Sequence, residues 1–166
     1  MAFESLLEGS FTVSCAESGR QALELSMREE FAVILLDVRM PEMDGYETAE
    51  HLRKLDRTRH TPILFMSAYD HSVTQIKKGY VAGATDFLSS PVDEELLLFK
   101  VGAYAQLYLR NEAVKVQIQQ LNSLVQALHV ESALRSSASE ATFKSRINQL
   151  EAMIEDLQRQ ISPAFH

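Results

Sequence analysis

The chain has 166 residues, 46% of them hydrophobic, and a formal net charge of -7. That is apolar material for one compact domain with an extension, while an acidic balance without a Lys/Arg cluster argues against direct nucleic-acid binding. A single cysteine, Cys15, excludes an intramolecular disulfide and reads as a small buried hydrophobe.

The amino-terminal stretch from Met1 to Glu8 lacks the basic residues and long apolar core of a targeting segment, and no window approaches 18 uncharged apolar residues. The expectation is a soluble, cytoplasmic protein with no membrane contact. Ala2 to Glu8 reads as a short helix. Phe11, Val13 and Cys15 alternate with Thr12 and Ser14, the period of a half-exposed edge strand. Ser18 caps a helix to about Glu29, with Ala22, Leu23, Leu25 and Met27 on its apolar side. Ala32 to Leu36 is an unbroken apolar run, as in a strand buried on both faces of a parallel sheet. A helix from about Tyr46 to Leu55, a strand from Ile63 to Met66, a helix from about Ser72 to Val81, a short strand from Thr85 to Leu88 and a helix opening near Asp93 follow. Strand and helix alternate throughout, which makes the fold α/β, a doubly wound parallel sheet.

Parallel sheets hold their ligand crevices beyond the strands' carboxyl ends, and Asp37 stands at that rim, followed by the chain breaks Pro41 and Gly45. Ser67 and Ala68 close the Ile63 strand, Phe87 lies in Asp86-Phe87-Leu88, and Gly79 to Pro91 leads to the next helix. Over about residues 2 to 108 these motifs resemble the response-regulator receiver family. The resemblance implies that Asp37 is the phosphoacceptor, Ser67 the hydroxyl that hydrogen-bonds the phosphoryl group, and Phe87 the switch aromatic.

Two departures stand beside these matches. The family begins with a strand ending in two acidic residues that help hold Mg²⁺, whereas the first residues here match its first helix, so the chain reads as an amino-terminally truncated receiver. Glu4, Glu8 and Glu17 are not placed to replace that pair. The family's phosphate-contacting Lys before the proline is Ser90 here. Phosphoryl transfer relies on positioning and on cations, so losing both should remove most of the effect. A missing central strand in the order 2-1-3-4-5 would also leave a gap of roughly 9.6 Å, which the Phe11 strand or another segment has to close.

Beyond the sheet region the pattern becomes a heptad seam: Tyr104, Leu107, Asn111, Val114, Ile118, Leu121, Val125 and Leu128. With Asn111, Ile118 and Val125 at a and Val114, Leu121 and Leu128 at d, it favours a parallel two-stranded coiled coil; a helix folded back on its own chain is the alternative. After a Ser/Ala-rich break at Arg135 to Ser139, where Ser137 and Glu140 have the form of a capping box, Phe143, Ile147, Leu150, Ile154, Leu157 and Ile161 make a second stripe. Its phase is offset by one residue, which suggests a stutter or a helical hairpin. His129 takes an e-like position as a solvated or interface histidine.

These readings divide the chain into a truncated receiver-like domain, 1–108, and a helical coiled-coil or hairpin extension, 109–166. The function expected is a non-enzymatic, degenerate receiver-like adaptor of a two-component phosphorelay, without a cofactor. It dimerises through Leu107, Asn111, Val114, Ile118, Leu121, Val125 and Leu128, and meets a histidine kinase or other two-component protein. The alternative is an active phosphoacceptor, phosphorylated at Asp37 by a histidine kinase with Mg²⁺.

Overall fold

A computed structural model describes residues 2–68, 72–134 and 140–161. The chain divides at Gln106/Leu107 into two compact units. In the first, α1 (Ala2–Glu8) is followed by α2 (Gly19–Arg28), β1 (Ile34–Asp37), α3 (Gly45–Leu52), β2 (Ile63–Ala68), α4 (Val73–Val81), β3 (Asp86–Ser90) and the start of α5 (Glu94–Leu134).

Side-chain caps set the helix starts. Ser18 Oγ accepts from Gln21 N while Gln21 Oε1 accepts from Glu17 N, so one first-turn amide of α2 and the amide before its cap are satisfied. Asp44, Ser72 and Asp93 accept in the same way from Glu47, Gln75 and Leu96. α3 stops at Leu52, three residues short of the expected end. Arg53 N and the amides of Lys54 and Leu55 already bond to the carbonyls of Ala49, His51 and Leu52, the tightening typical of a final turn.

The described sheet has three parallel strands in the order β1-β2-β3. Alternation along β2 sends Ile63 and Phe65 to one face and Leu64 to the other. The first face packs on Tyr46, Ala49 and Leu52 of α3 and on Ala82, the second on Leu7 of α1 and Leu97 and Val101 of α5. A sheet covered on both faces is the doubly wound architecture expected from the alternation.

Residues 11–15 do not form the expected edge strand. A strand exists only through its ladder, and no partner lies beside this segment among the described residues; Phe11 and Val13 instead lend side chains to the Leu7–Leu64 cluster. The segment therefore does not cross to pair with β1. Cys15, expected to be buried, is exposed. The Glu4 carboxylate beside it raises the thiol pKa, favouring the protonated form.

Arg53 ties together the sheet end opposite the strands' carboxyl rim. Its Nε and Nη2 donate to the Gly83 carbonyl at 3.2 and 2.6 Å, and Nη1 donates to the Thr58 and Thr61 carbonyls at 3.0 and 2.7 Å. Burial lowers its pKa from the usual value, and the carbonyls supply the compensation that a lone charge needs.

In the second unit, the part of α5 from Leu107 onward packs on α6 (Glu140–Ile161). Ile118, Val125, Ile147 and Ile154 are buried together, flanked by Val114, Leu121, Leu128, Phe143, Leu150 and Leu157. His129 Nε2 lies 3.7 Å from Glu151 Oε1. Five residues span at most about 18 Å, too little to carry the chain back along α5, so the two helices run antiparallel. The expected cap at Ser137 lies outside the described residues. No helix among the described residues is long and apolar enough to cross a membrane.

Candidate functional site

The carboxyl ends of the three strands form one rim. Asp37 closes β1 and pairs in register with Met66, so Ser67 on β2 stands one strand spacing away, about 4.8 Å, and one residue further along. Ser67 is in register with Ser89, and Ala68 with Ser90, which extends β3 two residues past its expected end. The rim thus brings Asp37, Ser67 and Ser90 to neighbouring strand ends, whereas Phe87 lies deeper, level with Phe65.

The loop behind Asp37 is fixed by backbone. Arg39 N donates to Asp37 Oδ1 at 2.9 Å, and Gly45 N donates to the Val38 carbonyl at 3.0 Å. Glu42 adopts a positive φ of 66°, the left-handed region seldom used outside glycine. Gly45 is required by close approach, since a Cβ there would meet the Asp37 carbonyl and lie 2.9 Å from Val38 Cα. Asp37 itself is exposed, so its carboxylate faces solvent.

Phe87 packs edge-on against Tyr80 at 5.2 Å between ring centroids and tilted against Phe65 at 5.8 Å. Gly79 on α4 makes room for it: a Cβ there would lie 2.5 Å from Phe87 Cζ. Two lysines are engaged elsewhere. Lys100 Nζ lies 2.7 Å from Asp86 Oδ2 and donates to the Phe87 carbonyl at 2.9 Å, both toward the start of β3. Lys78 Nζ lies 3.8 Å from Asp44 Oδ2 and 4.3 Å from the Tyr46 ring centroid. Sequence reasoning passed over Arg53, Lys78 and Lys100, because their partners are mostly main-chain carbonyls or distant in the chain.

Mg²⁺ demands near-octahedral oxygen coordination. Among the described residues no three His, Cys, Asp or Glu side chains form a group that could hold a metal ion.

The seam residues fall in two groups. Val114, Ile118, Leu121, Val125 and Leu128 pack against α6 of the same chain. Leu107 and Asn111 are exposed.

Comparison with known proteins agrees with this geometry. The profile of the response regulator receiver domain matches residues 1–102. A probable transcriptional regulator, ycf29, of Porphyra purpurea is 38% identical over 95 residues, 57% of this chain and 45% of that protein. The response regulator PleD of Caulobacter vibrioides is 37% identical over 109 residues, 63% of this chain and 24% of that protein. The chain thus spans less than half the length of these two relatives. Chemotaxis protein CheY4 of Vibrio cholerae, a solved structure, matches with a TM-score of 0.58 and 32% identity, covering 63% of this chain and 86% of that one. The receiver domain of sensor histidine kinase PA1611 from Pseudomonas aeruginosa has the same fold at a TM-score of 0.58 and 24% identity, over 63% of this chain and 86% of that one, and carries magnesium in its active-site cleft. Fold, strand-end residues and a profile match over more than half the sequence converge: the chain belongs to the response regulator receiver family, as the receiver domain of a two-component signalling protein.

Proposed function

We propose that this receiver is degenerate, a cytoplasmic adaptor that works through protein contacts rather than by rapid phosphoryl transfer. Its receiver part is 1–108 and its helical extension 109–166, through which it forms a homodimer. Its partner is a histidine kinase or another two-component protein, with no nucleic acid, membrane or cofactor involved. Asp37 keeps the phosphoacceptor position, Ser67 the phosphoryl-hydroxyl position and Phe87 the switch-aromatic position. The observation that carries the reading is Ser90, an exposed hydroxyl at the end of β3 where the resemblance implies a cation. Lys78 and Lys100 are held by Asp44 and Asp86, and the described carboxylates do not gather into a metal-binding cluster. A cation missing from the Ser90 position removes several kcal/mol of transition-state stabilisation.

Asp37 and Ser67 on adjacent strand ends favour the second reading, an active phosphoacceptor at Asp37. Incubation with acetyl phosphate and Mg²⁺, followed by intact-mass measurement, separates the two. The degenerate reading expects no phosphoryl adduct over minutes. A stoichiometric adduct that disappears in Asp37→Asn establishes the active reading instead.

A further inference from the structure

We infer that two copies of this chain pair through the face of α5 turned away from α6. This rests on the dimeric part of the proposed function and replaces its contact surface. The seam on α5 is occupied by α6, but a second stripe runs two residues further on: Leu109, Ala113, Val116, Gln120, Ser123, Ala127 and Val130, with Leu124 beside it. Its steps alternate between four and three like those of the seam. Two residues turn an α-helix by about 200°, so this stripe lies on the opposite face. All of these residues are exposed, and the large ones remain open to solvent: Leu109 at 65%, Val116 at 51%, Leu124 at 54% and Val130 at 64%.

α6 has no counterpart. The residues two beyond its own stripe, Ser145, Gln149, Ala152, Asp156 and Arg159, make an ordinary solvated face. α6 leaves one large apolar side chain, Met153, open to solvent, whereas α5 leaves four along this face.

Charge identifies the occupant as a second copy. The chain carries -7 overall, so two copies repel wherever charged surfaces meet. From Val116 to Val130 there is no Asp, Glu, Lys or Arg. This stretch can meet itself without like-charge contact, as a two-fold interface requires, and it offers no charge to an acidic or basic partner. Residues 109–130 span about 33 Å in a strip about 10 Å wide, about 330 Å² per copy and well below a standard interface, which points to a weak, reversible dimer at about 100 micromolar.

Sedimentation of the full chain tests this. Wild type should associate to a dimer in that range, and Val116→Glu with Val130→Glu should give a monomer with unchanged helical circular dichroism. Ser145→Glu with Gln149→Glu on α6 should leave the dimer intact. In a Cys15→Ser background, Gln120→Cys should cross-link on oxidation and Ser145→Cys should not. A dimer that survives the double Val substitution but is lost with Ile118→Glu overturns this interface and leaves the dimeric reading standing on the seam. A wild type that stays monomeric at several hundred micromolar overturns both.

Discussion

Arg53 shows how much of this fold rests on single side chains that carry no sequence signature. Its guanidinium bridges the carbonyls of Thr58, Thr61 and Gly83, so it holds the entry to β2 against the turn before β3. Lysine keeps the charge but not the fork of five donors, and it would leave carbonyls partly unmatched. Arg53→Lys should lower stability by about 1–3 kcal/mol in denaturant unfolding; an unchanged midpoint would remove the clamp from the account. Gly45 and Gly79 make a second contrast. The atoms that crowd a Cβ at Gly45 are backbone, which cannot yield, whereas those at Gly79 belong to the Phe87 and Phe65 rings, which can shift. Gly45→Ala should therefore cost about 2–3 kcal/mol, and Gly79→Ala less, with its effect visible as an altered Phe87 environment in ring-proton spectra. Equal losses would contradict this backbone-versus-ring distinction. The strand-end placement of Asp37 and Ser67 was legible because apolar runs and turn residues mark it, while Phe87 rested on the resemblance alone; the Arg53 contacts were not legible, since any residue offers a carbonyl.

Elements were legible where burial on both faces imposes an apolar run. Ile34–Asp37, Ile63–Ala68 and Asp86–Ser90 all emerge within two residues of expectation, the first two from their apolar runs and the third from its place between Gly83 and Pro91. Phe11–Cys15 failed for the complementary reason. Alternation tells which side chains face a core, and Phe11 and Val13 do reach one, but a strand also needs a neighbour that its own residues do not specify. The amides of Thr12 to Cys15 should accordingly exchange with solvent far faster than those of Leu64 to Met66, which lie between two strands. Hydrogen exchange followed by mass spectrometry gives the comparison directly. Protection of 12–15 matching that of β2 would mean that the segment pairs with a strand after all. The heptad seam has a similar ambiguity: its spacing announced a partner helix, and the one-residue phase offset already allowed a hairpin, yet nothing in a seam states whether its partner lies in the same chain.

At the scale of the molecule, two cores stand on separate sets of residues. Leu36, Leu52, Ile63, Leu64, Phe65, Leu88 and Leu97 serve the sheet, whereas Ile118, Val125, Ile147 and Ile154 serve the hairpin. The hairpin core is the smaller, and one fully buried residue is a large part of it: Ile147 is 1% exposed. Placing a carboxylate there, without a partner to hydrogen-bond it, costs several kcal/mol, beyond what four buried aliphatic residues can absorb. Ile147→Asp should thus melt α6 and the part of α5 beyond Leu107, with a large loss of helical circular dichroism. The sheet should keep its own unfolding transition, because Leu97 and Val101 anchor the opening turns of α5 in the sheet unit's core. Resolved ring-proton signals of Tyr46 and Tyr80, which pack on Phe65 and Phe87, report on that unit. Retention of those signals alongside helix loss is the expected outcome. Simultaneous collapse of both would show that the continuous helix transmits the damage, and that the two units unfold as one.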